Sequence, residues 1–404
     1  MRARLLVTTL CLVLGIPVAA QVRRRPTENG PWRPWEFIAI ASARQARGAS
    51  AAEVQAWQAR LQAFGAVVRQ SPAVAQPVGF AASLWGNLDG YGPAGPGEPA
   101  GKDVPLAGSL SFAAFPLIEF MRNGRLMNED MKGGETATLG FAINEIDRSV
   151  FRAPMPTEWS GQDVRAFVEP IVGEPFAGLP RLDDVFVLKK NAKPLWVPFS
   201  TADALQPVIT GRREAYEHAR AVYAKEQAEF VEWQTPAKRA ARRADWQAAA
   251  ASIPNGAEFL ANMEKSDVEI EKARRARLAP GGPEERGVAE AERDLKEAEA
   301  VLASLSPEQR SQQGCYAESG RTLAEKFRPI AGTAPAGCRP LVKTNWDYFD
   351  RRLPRTSAQV LVVTRFARCL TPEALAEQSP GGCVTNRTLM ESIDWDAIRG
   401  LMDK

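Results

Sequence analysis

A single histidine, His218, is the only imidazole the chain has for general-base work. It lies in Glu214-Ala-Tyr-Glu217-His218-Ala-Arg220, where a helix places the Glu214 carboxylate one turn away, able to orient and charge the ring. The same stretch reads as a charged helix surface, one position off an apolar stripe of Tyr216, Ala219 and Tyr223, which explains His218 without any chemistry. For a nucleophile, Gly48-Ala49-Ser50-Ala51-Ala52 comes within one residue of G-x-S-x-G. That elbow joins a strand to a helix, whereas Ser50 stands between helical segments. It heads Ser50-Ala-Ala-Glu53, a capping box in which the hydroxyl caps a backbone N–H and the glutamate reaches back. No S-x-x-K occurs, so a serine–lysine hydrolase lacks its signature.

Carboxylates are harder to set aside, because two of them several ångströms apart suffice for glycoside hydrolysis and obey no spacing rule in sequence. Asp347 and Asp350 in Asn345-Trp-Asp-Tyr-Phe-Asp350, and Asp394 with Asp396, stand beside aromatics, although turns and helix caps account for them equally. Ten tryptophans against five tyrosines suit sugar stacking as well as core packing. Trp85-Gly-Asn-Leu-Asp89-Gly90-Tyr91 is the stretch most like the rim of a sugar cleft, and Asp89-Gly90 is also a hairpin turn.

Cofactor motifs fail on inspection. Gly90-Tyr91-Gly92-Pro93-Ala94-Gly95 matches G-x-G-x-x-G, but those glycines must lead straight into a helix and Pro93, Pro96 and Pro99 intrude. Gly101-Lys102 resembles the end of a phosphate loop, yet Pro96 occupies the first glycine position and Asp103 the magnesium-binding Ser/Thr position. One histidine and five cysteines, none closely paired, leave little material for a zinc, iron–sulfur or copper site, and no calcium loop is present. No cofactor and no metal is expected.

Met1 to Ala20 has Arg2 and Arg4, an apolar run from Leu5 to Ile16 and small residues at Val18-Ala19-Ala20, the pattern of a signal peptide cut after Ala20. The run is shorter than the roughly 20 residues a bilayer demands, and Arg23-Arg24-Arg25 follow, so a retained anchor is disfavoured. Cys11 sits within it, which leaves Cys315, Cys338, Cys369 and Cys383 in an exported chain. Disulfides are the natural outcome. Three connectivities are open, and pairing neighbours closes the shortest loops. Lys plus Arg number 51 against 48 Asp plus Glu, a net +3, which argues against nucleic acid as partner.

The elements that must position these residues follow from the hydropathy pattern. Residues 21–34 are Arg- and Pro-rich and read as a flexible lead-in. From Trp35 to about Gln70 the pattern is helical in two pieces, the second with Val54, Trp57, Leu61 and Phe64 on one face. From Gly79 to Ser200 the period shortens to two. Asn123-Gly124 between strand-like runs predicts a hairpin, Ala137, Leu139, Phe141 and Ile143 alternate as a half-buried strand, and Gly92 to Pro105 is a loop. Val185–Leu188 and Leu195–Phe199 flank Lys190-Asn191-Ala192-Lys193 as a second hairpin. Residues 201–310 hold 17 basic and 20 acidic side chains around apolar stripes, hence long exposed helices, with Pro207 expected to kink or delay the first. Val288, Ala291, Leu295, Ala298, Leu302 and Leu305 make a little over two heptads, read as an antiparallel hairpin folded about Ala279-Pro-Gly-Gly-Pro283, with a dimeric coiled coil as the alternative. Ala358–Phe366 is a strand completing the sheet. Asp394 caps a terminal helix stapled by Ile393 and Ile398.

The predicted fold is α+β: a signal peptide at 1–20, a lead-in at 21–34, helices and an antiparallel sheet at 35–199, a helical arm at 200–310, and a disulfide-containing part at 311–404. The expected role is that of an exported bacterial protein, periplasmic or secreted and not membrane-spanning after cleavage. It binds another envelope protein or a surface polymer through the arm or the sheet loops, without catalysis; a homodimer through the arm is an open possibility. The competing expectation is a secreted hydrolase with paired carboxylates acting on glycans.

Overall fold

The computed structural model describes residues 23–38, 48–89, 104–122, 125–130, 137–151, 156–160, 162, 164–371 and 382–403. The predicted signal peptide with Cys11, the glycine-rich motifs at 90–95 and 101–103, and the Asn123-Gly124 pair lie outside the described residues. Two compact units divide the chain: a sheet unit, drawn from Met1–Pro154, Glu169–Val197 and Thr344–Lys404, and a helical unit, drawn from Met155–Val168 and Pro198–Lys343. The fold is mixed α+β, with antiparallel sheets, N-terminal helix, long charged helical insertion and two disulfides in the C-terminal part.

The strands are β1 (Arg23–Arg24), β2 (Glu36–Ile38), β3 (Phe80–Leu88), β4 (Gly108–Arg122), β5 (Arg125–Asp130), β6 (Ala137–Ile143), β7 (Ala166–Val168), β8 (Val172–Phe176), β9 (Leu179–Leu182), β10 (Val185–Lys189), β11 (Trp196–Pro198), β12 (Gly314–Tyr316), β13 (Phe327–Pro329), β14 (Arg339–Thr344) and β15 (Val360–Thr364). In the sheet unit the order is β2-β3-β4-β6-β15-β10-β9-β8, with β1 and β5 also on β4. All pairs are antiparallel except β2 with β3. The β4–β5 pairing runs up to Arg122 opposite Arg125.

Three sequence expectations need correction here. The lead-in is tied down from Arg23: β1 pairs with Ile118 and Glu119 of β4, and Trp32 bridges to Ala82. The first helical piece after Trp35 begins instead as β2, because its backbone groups find partners on Trp85, Gly86 and Asn87 of β3. Finally, β10 makes no hairpin with the segment after Lys193. Its neighbours are β9, reached through a tight turn with Asp183 at φ 48°, and β15.

Helix α1 (Ala51–Gln70) turns Trp57, Leu61, Phe64 and Val68 inward at helical spacing, and all four are buried. They share a core with Leu84 of β3, Leu110 and Phe112 of β4, Leu139, Phe141 and Ile143 of β6, and Leu361 and Val363 of β15. Asn144 follows β6 with φ 56°, a conformation asparagine tolerates better than most residues. Its buried amide donates to the carbonyls of Leu106 (2.9 Å) and Ser357 (2.7 Å) and accepts from the N–H of Gln359 (2.8 Å), so one side chain satisfies three distant backbone groups.

In the helical unit β14 pairs with β7 and β12, and β12 with β13. Helix α2 (Thr201–Trp233) starts at Ser200, whose hydroxyl accepts from the Asp203 N–H, and it continues past Pro207 without interruption. It is followed by α3 (Pro236–Ala250), α4 (Gly256–Leu278) and α5 (Pro283–Ser304). The α4–α5 turn uses Gly281 at φ 72°, yet α5 packs chiefly along α2 rather than along α4. Leu295 and Ala298 of its stripe are buried, and Arg212 and Arg213 of α2 reach Glu297 and Glu299. Helices α3 and α4 form the second antiparallel pair, laced by Arg239–Glu271, Arg242–Asp267 and Arg243–Glu264. The chain ends in the sheet unit with α6 (Cys383–Ser392) and α7 (Trp395–Leu401), whose Leu389, Met390, Trp395 and Ile398 join the main core.

Candidate functional site

Most of the residues singled out for chemistry are committed to structure. Ser50 Oγ accepts from the Glu53 N–H (3.2 Å) while the Glu53 carboxylate accepts from the Ser50 N–H (2.7 Å) and pairs with Arg355. Burial pushes the Glu53 carboxyl up, but the hydrogen bonds from Ser50 and the Arg355 guanidinium outweigh it and hold the group below its ordinary range. His218 is exposed on α2, and Glu214 accepts from the Gln162 side-chain amide at 3.1 Å. Asp347 is 90% exposed and pairs with Arg351. Asp350 is held far below the carboxylate range by a two-pronged bond from Arg352. Asp394 caps α7 by accepting from the Ala397 N–H at 2.8 Å, and Asp396 pairs with Arg399 on the surface. Cys315 is bonded to Cys338 and Cys369 to Cys383, the neighbouring pairs. Among the described residues no group of His, Cys, Asp or Glu is arranged to hold a metal ion, and no helix is long and apolar enough to cross a membrane.

A concave feature among the described residues of the sheet unit lies elsewhere. A cleft of about 240 Å³ runs between the outer edge of α1 and the chain just before β2, lined by Trp32, Arg33, Trp35, Gln62, Gly65, Ala66, Arg69 and Leu84. Helix α1 delivers Gln62, Gly65, Ala66 and Arg69 at offsets of three and four, one face of a helix. The opposite wall is fixed by the β3 backbone, since the Arg33 N–H donates to Ala82 (2.8 Å) and the Ala82 N–H to Pro31 (3.0 Å).

Each tryptophan is anchored differently. The Trp32 indole N–H donates to the Val74 carbonyl at 2.9 Å, and its ring lies 6.1 Å from Phe112. The six-membered edge of Trp35 enters a slot made by two glycines: a Cβ on Gly86 would stand 2.9 Å from Trp35 Cη2, and one on Gly65 3.4 Å from Cζ3. Its indole N–H is closed off from solvent and has no acceptor among the described residues. An amide-like donor buried in that way costs about 1–3 kcal/mol.

The charge in the cleft comes from Arg69, whose guanidinium carbon lies 5.2 Å over the Trp32 ring. It has no ion-pair partner among the described residues. Arg33 contributes its stem, because its guanidinium sits 3.8 Å over Phe115, which packs with Ala81, Ala113 and Leu117 rather than in the core that α1 joins. Among the described residues no Asp or Glu lines the cleft. The described lining offers two indole surfaces, one cation and one amide, which can hold a molecule but supplies no nucleophile and no paired acids.

Trp32 and Trp35 fell outside the residues the sequence marked for function, because they straddle a lead-in and a presumed helix start. The signal available was Trp32-Arg-Pro-Trp35, two large aromatics three apart around a proline that excludes an ordinary helix interior. Comparison with known proteins is silent: no protein-family model, no curated protein and no solved structure matches the chain.

Proposed function

We propose that this is a non-catalytic binding protein of the periplasm or the extracellular space, and that the cleft between α1 and Trp32–Trp35 is where it holds its partner, an envelope protein or a surface polymer presenting a single group to the cleft. The observation carrying this proposal is the cleft itself, with two tryptophans held in fixed positions beside Arg69, which has no carboxylate partner among the described residues. Concave sites with aromatic walls and a few convergent polar groups are the usual form of a ligand site. Two disulfides agree with an oxidising compartment. The helical insertion is the weaker binding surface, since Arg239, Arg242 and Arg243 are already paired with carboxylates of α4. The hydrolase alternative gains no support from Asp347, Asp350, Asp394 and Asp396, each engaged in a surface pair or cap.

Native mass spectrometry of the protein released gently from its own cell envelope tests the proposal. The expected spectrum carries a bound mass that Trp32→Ala removes. A bare chain overturns the proposal, and a bound mass indifferent to Trp32→Ala and Arg69→Ala moves binding away from the cleft.

A further inference from the structure

Resting on the binding function just proposed, we infer that the group the cleft accepts is an oxyanion carried on a flat ring, an aromatic carboxylate. The polar inventory selects for it. Arg69 has only donors, and the Gln62 amide oxygen is the one side-chain acceptor among the described lining residues. A pyranose would bring several hydroxyl hydrogens into this space, each needing an acceptor once water is displaced, and a carboxylate at the rim would be the usual provision. Among the described lining residues none is present. A carboxylate ligand reverses the balance, bringing two oxygens and no donor to a fork of guanidinium N–H groups.

The walls select for the ring. Trp32 is locked by its bond to Val74 and Trp35 by the Gly65 and Gly86 slot, so both indoles are fixed before any ligand arrives, and little side-chain freedom is lost on binding. Leu84 and the bare Gly65 add apolar floor. Arg69 lies over Trp32 in the last turn of α1, where the helix C-terminus favours a cation, and its stacked guanidinium keeps its edge N–H groups for a carboxylate. At about 240 Å³ the space falls below the roughly 300–1,000 Å³ of pockets that enclose drug-sized molecules, so it takes one ring with a short side arm.

Isothermal titration of the purified full chain with four probes tests this: phenylacetate, its neutral isostere phenylacetamide, benzylamine, and glucuronate. Phenylacetate is expected to bind at least tenfold more tightly than phenylacetamide, with no binding of benzylamine or glucuronate. Arg69→Gln, a change at an exposed position, should erase that tenfold preference. Equal affinity for phenylacetate and phenylacetamide, or tighter binding of glucuronate, overturns the aromatic carboxylate and leaves the cleft a binding site. Failure of all four probes also overturns it; the binding function then stands only if a cleft-dependent mass is seen in the native spectrum, and falls if that spectrum is bare.

Discussion

Strand β15 and helix α3 show two ways of holding a segment in place. All five residues of β15 are buried, whereas Ala250 is the one buried residue of α3. Burying a Val or Leu side chain stabilises by about 1.5–3 kcal/mol, and the effect is indifferent to salt. The α3–α4 pair relies instead on three interhelical ion pairs whose partners are partly or well exposed, each worth about 0–1 kcal/mol and screened as ionic strength rises. One chain therefore contains a segment that opens only on global unfolding and another that opens on its own, at a small fraction of the cost.

That contrast breaks most visibly at Phe112, fully buried between α1 and the sheet. Phe112→Ala should remove about 3–5 kcal/mol, read as a lower urea midpoint for the sheet unit. Replacing Cys315 and Cys338 together by serine opens a loop of 23 residues in the helical unit and should cost about 3 kcal/mol there, measured by the same titration with a helix-sensitive probe. Asn144→Ala leaves the Leu106 and Ser357 carbonyls and the Gln359 N–H without their partner, for an expected loss of about 2–3 kcal/mol and faster amide exchange at Gln359. Arg242 lies 4.0 Å over the Trp233 ring and pairs with Asp267. Arg242→Ala should cost only about 1 kcal/mol, and 1 M salt should raise hydrogen exchange in α3 and α4 while leaving β15 protected.

The smallest expected effect is one of pH. Glu158 is mostly buried and bonded to Lys326. Burial raises the Glu158 carboxyl, but the Lys326 ammonium and local hydrogen bonds bring it below its ordinary 4.5, and the bond to Glu158 lifts Lys326 above 10.5. A carboxyl depressed by folding stabilises at pH above its unfolded value and loses that contribution as pH falls through the folded one; a raised lysine keeps its contribution until pH exceeds 10.5. Stability of the helical unit should thus decline below pH 4.5, and Glu158→Gln should flatten that decline in acid titrations followed by circular dichroism.

What could be seen in the sequence was whatever depends on near neighbours. The Ser50–Glu53 box, the Asp394 cap and the β4–β5 hairpin all form from residues within a few positions of one another, and all are present. The segment at 36–38 was misread because its strand character comes from β3, almost fifty residues away. The β8–β9 hairpin was missed because its turn places Ala177 at φ 49° beside Gly178 at φ 74°, and alanine gives no hint of positive φ. Heptad spacing identified the buried face of α5, but a/d periodicity says which face is covered and not by which helix, so α2 could not be named. The cleft was illegible for the same reason: Trp35 becomes a fixed wall only once Gly65 and Gly86 are brought to it.

The position of β15 also bears on how the chain comes to life. It lies between β6, which ends at Ile143, and β10, which ends at Lys189, yet it begins only at Val360. Synthesis delivers both flanking strands, and then all of the helical insertion, before the strand that joins them exists. Throughout that interval β6 and β10 each present an unzipped rim of N–H and C=O groups, the template on which stray strands of other nascent chains add. A polypeptide stalled or cut short before residue 360 would be trapped in that sticky condition, so its yield should depend on holding factors far more than that of the finished protein.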